Sequence, residues 1–299
     1  MRIASLLPAA TEIVLALGLE DRLAAVTFEC APTARARYPV VVNTAIPPGL
    51  TPAEIDAWVR DRTARGLPLY ELDRAALAAV DPELILTQDL CRVCALPATT
   101  VAAACEAIGV DAEVLSLDPR SLDDVMDAVI AVGRAAGVAQ AADQLRRSLC
   151  ARLDDVGRAV AGRPRPRVLV LEWTDPPFLA GHWVPELVRR AGGRPVGAVE
   201  GGRTVAARWE DLPSADVVVV APCGFGLDGA LEQCAAVAAH LRPTQLNGVP
   251  LVAIDSAGYV VQAGPALVDG VEALAWMLHP DAVPEPPSGR IAGPLSPGR

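Results

Sequence analysis

An alternation that runs twice through the chain constrains its fold more than any other feature. Short unbroken apolar runs, "RLAAVTFEC", "PELILTQ" and "AEVLSL", alternate with helical patterns over Pro52–Arg65 and Ala98–Ile108. After residue 163 the alternation resumes with "RVLVLEW", "ADVVVVAP" and "PLVAID", separated by helices near Pro185–Ala191 and Asp228–Leu241. A strand that is apolar at every position needs cover on both faces, which predicts parallel sheets flanked by helices. Two such blocks predict an α/β chain of two parallel-sheet lobes. With 52% apolar residues in 299, there is material for two cores.

Between the blocks, Ser121 to Gly162 carries almost no strand signal. Ser121 with Asp123 and Asp124 suits a helix start, and Gly133 and Gly137 are expected to break that helix. Val138–Ala161 then reads as one helix of roughly 24 residues, about 36 Å at ~1.5 Å per residue, long enough to bridge two lobes. The expected division is a first lobe over 1–137, a bridging helix over 138–162 and a second lobe over 163–280. From 281 a Pro-, Gly- and Ser-rich tail is expected to be disordered.

The opening "RIASLLPAATEIVLALGLE" reads as a strand, a turn and a helix capped near Thr11, because Pro8, Thr11 and Glu12 interrupt the apolar run of an export signal. An odd number of cysteines, seven, fits a reducing compartment, so a cytoplasmic protein is expected. No apolar stretch is long enough to span a bilayer, so no membrane insertion is expected. The net charge of −10 argues against a nucleic-acid partner. All 26 basic residues are arginine, which excludes Schiff-base, Walker-type and general-base lysine chemistry.

In parallel α/β lobes, ligands collect at the carboxyl ends of the strands. Those ends carry Glu29 and Cys30 after "AAVTF", and Gln88, Cys91 and Cys94 after "ELILT". In the second block they carry Trp173, Asp175, Phe178, His182 and Trp183 after "VLVLE", and Cys223 and Phe225 after "VVVVAP". Cys91 and Cys94 form a C-x-x-C turn whose sulfurs can face one centre, and the helix beginning near Pro97 offers N–H groups that favour thiolate. Such a pair can hold zinc, Cu(I) or an iron–sulfur cluster, form a dithiol, or simply pack. As a metal site it would take Cys223 as a third sulfur, with Cys30, His182 or Glu172 as a fourth ligand. The dithiol reading lacks a thioredoxin-like context.

Aromatic residues are 4% of the chain, so Trp173, Phe178 and Trp183 in one loop point to a flat apolar ligand surface or to a sealed core. Glu172 is a ligand, a base or an internal hydrogen-bond acceptor, and Glu29 is the second acid–base candidate. His182 is a ligand or a satisfied loop histidine. Cys105, Cys150 and Cys234 lie inside helices, where packing accounts for them.

The stretches "RIASLLPAATEIVLALGLEDRLAAVT", "ILTQDLCRVCA", "LEWTDPPFLAGHWVPELVRRAGG", "APCGF" and "GPALVDGVEALAWMLHP" together resemble the cobalamin- and iron-siderophore-binding proteins of ABC importers, closest to their leaderless branch. The resemblance runs to about Pro280 and implies two α/β lobes joined by one rigid helix, with a small-molecule ligand in the cleft. Some positions depart from the pattern. Phe28-Glu29-Cys30 stands where the branch more often has His-Glu-Cys, and Ala263-Gly264-Pro265-Ala266 where it has Pro-Gly-Pro-Arg. Of the paired glutamates that dock such proteins on a permease, Glu210 fills the second-lobe slot but Ala75 stands in the first, which counts against permease docking. The expectation is a cytosolic binding protein for a corrinoid (cobalamin) or another metal-containing small molecule. The alternative is an enzyme of the same fold with a metal or iron–sulfur cluster on Cys91, Cys94 and Cys223. A structural or regulatory protein whose cysteines merely pack is the third possibility.

Overall fold

The computed structural model of the chain describes residues 1–89, 96–286 and 289–295. The fold is α/β, with two separate sheets, and divides into two compact units. One comprises Met1–Pro119 with Asp123–Arg147, the other Arg120–Leu122 with Ser148–Arg299.

The first unit holds β1 (Ile3–Ser5), β2 (Leu23–Thr27), β3 (Val40–Thr44), β4 (Tyr70–Leu72), β5 (Leu84–Thr87) and β6 (Glu113–Ser116), in the order β4-β3-β2-β1-β5-β6. All pairings are parallel except that of β3 with β4. Around the sheet lie α1 (Pro8–Ala16), α2 (Pro32–Arg37), α3 (Pro52–Ala64), α4 (Arg74–Val80) and α5 (Ala98–Ile108). The unbroken apolar runs have a direct cause. Successive strand side chains point to opposite faces, and here Ile3, Leu84 and Leu86 enter one core while Ala4 and Ile85 enter the other. Both faces are covered, so no position of β5 tolerates a polar residue that lacks a partner.

Two expectations need correction here. Thr11 does not cap α1, which starts at Pro8 on extended Leu7. Its hydroxyl is instead buried, donating to Ser5 Oγ at 2.8 Å and lying 3.1 Å from Cys30 Sγ. Gly133 does not break α6 (Leu122–Ala135) but lies inside it. A Cβ there would come within 2.3 Å of Ala142 Cβ on α7 (Ala139–Ala159), so the glycine permits the two helices to approach closely. Only Gly137, at φ +72°, ends the run. The helix expected over Val138–Ala161 is α7, with 21 residues, and they are shared between the two units.

The second unit holds β7 (Arg167–Thr174), β8 (Pro177–Leu179), β9 (Arg194–Pro195), β10 (Val205–Ala206), β11 (Val217–Val220), β12 (Leu251–Ile254) and β13 (Ile291–Leu295). The order is β10-β8-β7-β11-β12-β13, with β9 on β7. The central β7, β11 and β12 are parallel, whereas β8, β10 and β13 are antiparallel additions. The helices are α8 (Val184–Arg190), α9 (Leu227–Leu241), α10 (Ser256–Tyr259) and α11 (Leu267–Leu278).

The disordered tail expected from 281 does not hold over 291–295. Ile291 and Ala292 pair with Ile254 and Ala253, and Asp255 N donates to Arg290 O at 2.8 Å. The Arg290 guanidinium covers the Tyr259 ring at 5.2 Å. Pro294 is tolerated because β13 is an edge strand.

Candidate functional site

The carboxyl edge of the second sheet gathers most of the expected residues. Trp173, near the end of β7, is half-buried, and its indole N–H donates to Asp175 O at 3.2 Å. Its ring packs on Phe225 with centroids 6.0 Å apart at 58°. Phe225 is held in the turn before α9, where its N–H donates to Pro222 O at 3.1 Å and its carbonyl accepts from Ala257 N at 3.1 Å. Phe178 on β8 is half-buried beside Trp173 in the strand register, Asp175 is exposed, and Cys223 is exposed in the β11–α9 loop.

His182 occupies left-handed backbone at φ +51°. Its N–H donates to Gly202 O at 2.7 Å and its carbonyl accepts from Gly201 N at 2.8 Å, so a second loop holds it in this conformation. The ring lies 5.8 Å from that of Trp183. Desolvation first, then the positive charges of Arg120 and Arg203, push its pKa below the ordinary 6.5. The imidazole is therefore neutral at neutral pH, the form that can ligate a metal.

Two of the expected residues prove to be internal. Glu172 is buried; one carboxylate oxygen accepts from Gly181 N at 3.0 Å and the other from the Thr204 hydroxyl at 2.8 Å. Of its three readings the geometry shows the internal acceptor, which ties the loop bearing His182 to β7. Trp183 is 6% exposed and donates its indole N–H to Val260 O at 2.7 Å, so it seals the core rather than offering a ligand surface.

In the first unit, Glu29 follows β2 and reaches solvent, yet the protein atoms crowding it push its carboxyl up to about 7 through desolvation. Cys30 is buried in the core beside Thr11, and burial raises its thiol, the opposite of what a thiolate ligand needs. Gln88 is buried just past β5. Cys91 and Cys94 lie outside the described residues. Among the described residues no group of three or more His, Cys, Asp or Glu is placed to hold a metal. Cys105 and Cys234 pack in cores; the Cys234 thiol donates to Ala230 O at 3.2 Å and is pushed up to about 11 by burial. Cys150 is half-buried.

Sequence reasoning missed Asp89, just past β5, and Asp118, just past β6, whose carboxylate accepts from Asp89 N. Asp89 accepts from Ala98 N at 2.9 Å, occupying one of the N–H groups at the start of α5 that had been assigned to the thiolates. Ser116 Oγ contacts Asp89 at 3.0 Å and Asp118 at 2.8 Å. Also missed were Arg120, Arg203 and Thr204, which reach the His182 loop from distant sequence. The Asp-Pro-Arg and Gly-Gly-Arg-Thr turns containing Asp118, Arg120, Arg203 and Thr204 were the available signal. Glu210 is exposed and pairs with Arg208 at 3.3 Å, and Ala75 is exposed on α4.

A sequence profile described as periplasmic binding protein matches residues 3–221. Comparison with curated proteins finds no match. Among solved structures, a periplasmic heme binding protein from Pseudomonas aeruginosa superposes with a TM-score of 0.67 at 24% identity, covering 94% of this chain and 93% of that one. A periplasmic vitamin B12 binding protein of Vibrio cholerae gives 0.63 at 18%, covering 93% and 96%. A periplasmic binding protein from Veillonella parvula gives 0.69 at 18%, covering 93% and 91%. At such identities these likenesses establish the fold alone.

Proposed function

The chain belongs to the periplasmic binding protein family, and from that premise we propose that it binds a metal-containing small molecule, a corrinoid such as cobalamin in the first instance. One observation carries the reading: the Trp173–Phe225 ring pair and the neutral His182 imidazole share the carboxyl edge of the second sheet. The rings suit a flat apolar macrocycle and the imidazole suits the metal at its centre. The structural neighbours named for heme and vitamin B12 support this class of ligand. Of the acid–base candidates of the enzyme alternative, Glu172 is withdrawn, since both its carboxylate oxygens are taken up in holding the loop.

The free thiols of Cys30, Cys105, Cys150 and Cys234 support a reducing, cytosolic site of action. No described helix is long and apolar enough to cross a membrane. With Ala75 where the resemblance places a docking glutamate, delivery to a permease is not part of this reading.

The test is a spectroscopic titration of the purified protein with aquocobalamin and, separately, with heme. Saturable displacement of the corrin absorption is expected. Trp173→Ala or Phe225→Ala should each weaken it by about 5- to 10-fold, from the ~1 kcal/mol of a ring contact. A flat titration for both ligands up to tens of micromolar overturns the reading; saturation by heme alone overturns its corrinoid part.

A further inference from the structure

At the amino-terminal edge of β7, the opposite edge from Trp173 and His182, the second unit contains a separate concavity of about 630 Å3. It lies between the end of α7, the connection into β7 and the end of α8. Five arginines line it, Arg158, Arg163, Arg165, Arg189 and Arg190, against one acidic lining residue, Asp154. This is an unusual concentration in a chain of net charge −10. Three of the five have an ordinary explanation. Arg158, Arg189 and Arg190 stand in the last turns of α7 and α8, where the helix dipole favours cations, and they pair with Asp155, Glu186 and Glu200.

Arg163 and Arg165 do not share it. They flank Pro164 beyond the helix, are exposed, and have no carboxylate partner among the described residues. Arg165 uses one Nη2 donor on Gly193 O at 2.9 Å, and the rest of its fork is uncommitted. Beside them the wall is apolar, formed by Leu153, Val160 and Ala161. We infer that this concavity binds a phosphorylated small molecule, its phosphate monoester held by Arg163 and Arg165 and its organic part lying against Leu153 and Val160. A planar guanidinium matches phosphate oxygens two at a time, and the volume falls within the ~300–1,000 Å3 of small-molecule sites. Asp154 on the same wall opposes longer polyanions, which favours a single phosphate over a polyphosphate or nucleic acid.

The site is independent of the corrinoid edge, so the two readings fail separately. Calorimetric titration of the full chain with phenyl phosphate and with inorganic phosphate at low ionic strength tests it. Saturable binding is expected, tighter for phenyl phosphate, and weakened about 10-fold or more by Arg163→Gln/Arg165→Gln at an unchanged melting temperature. The cobalamin titration should not respond to that double variant. If the double variant does not fold, Arg163→Gln alone carries the comparison. Three results would overturn the inference: no saturable binding up to roughly millimolar ligand, equal binding by the double variant, or an equal loss on Arg208→Gln, which would mark diffuse electrostatics.

Discussion

Replacing Glu172 by alanine removes the acceptor that joins β7 to the loop carrying His182. The Gly181 N–H at 3.0 Å and the Thr204 hydroxyl at 2.8 Å then lose their partner. A hydrogen bond to a charged group contributes about 1.5–3 kcal/mol. Because Gly181 is buried and Thr204 only half-buried, the first counts nearly in full and the second is discounted, so the total is about 3 kcal/mol. For a unit of this size, that lowers the melting temperature by roughly 6–12 °C. Glu172→Gln keeps one carbonyl acceptor for Gly181 and lets the Thr204 hydroxyl rotate to accept, so about half the loss is expected. Circular dichroism melts give the magnitude, and hydrogen exchange at Gly181 locates it. In the alanine variant, cobalamin affinity should fall only as far as the loop loosens. If Glu172→Ala melts with the wild-type protein while ligand affinity or a measured turnover disappears, the carboxylate acts on the ligand and the reasoning is wrong.

Gly133→Ala should destabilise by about 1–3 kcal/mol in urea titrations, because its Cβ would meet that of Ala142 at 2.3 Å. Gly157→Ala, with nothing within 4 Å, should stabilise α7 by up to about 1 kcal/mol; the same sign at both positions would contradict the helix packing. His182 should titrate by NMR with a midpoint below 6.5, rising when Arg203→Ala removes one of its positive neighbours. Its folded pKa is depressed, so the stability it contributes is full above 6.5 and is lost as pH falls through that value toward the folded pKa. His182→Asn, which tolerates φ +51°, should flatten that slope, and a midpoint at or above 6.5 would refute the assignment.

The sequence by itself determined the α/β class and the parallel central strands. The reason is local: an apolar run such as Leu84–Thr87 alternates between two faces, and only a sheet covered on both sides accepts it. It also placed Trp173 at the end of one central strand, β7, and Cys223 and Phe225 in the loop after another, β11. Tertiary structure decided what the side chains there do. Glu172 is an internal acceptor because Gly181 and Thr204 meet it from 9 and 32 residues away, and Trp183 is core because Val260 receives its N–H from 77 away. Cys30 is held beside Thr11, and Gly133 serves a helix contact rather than a break. The Pro- and Gly-rich segment containing β13 pairs as a strand only because β12 leaves an open edge for it. Local pattern specifies which face or edge a residue occupies. Whether its polar atoms are satisfied depends on partners that only the folded chain brings within bonding distance.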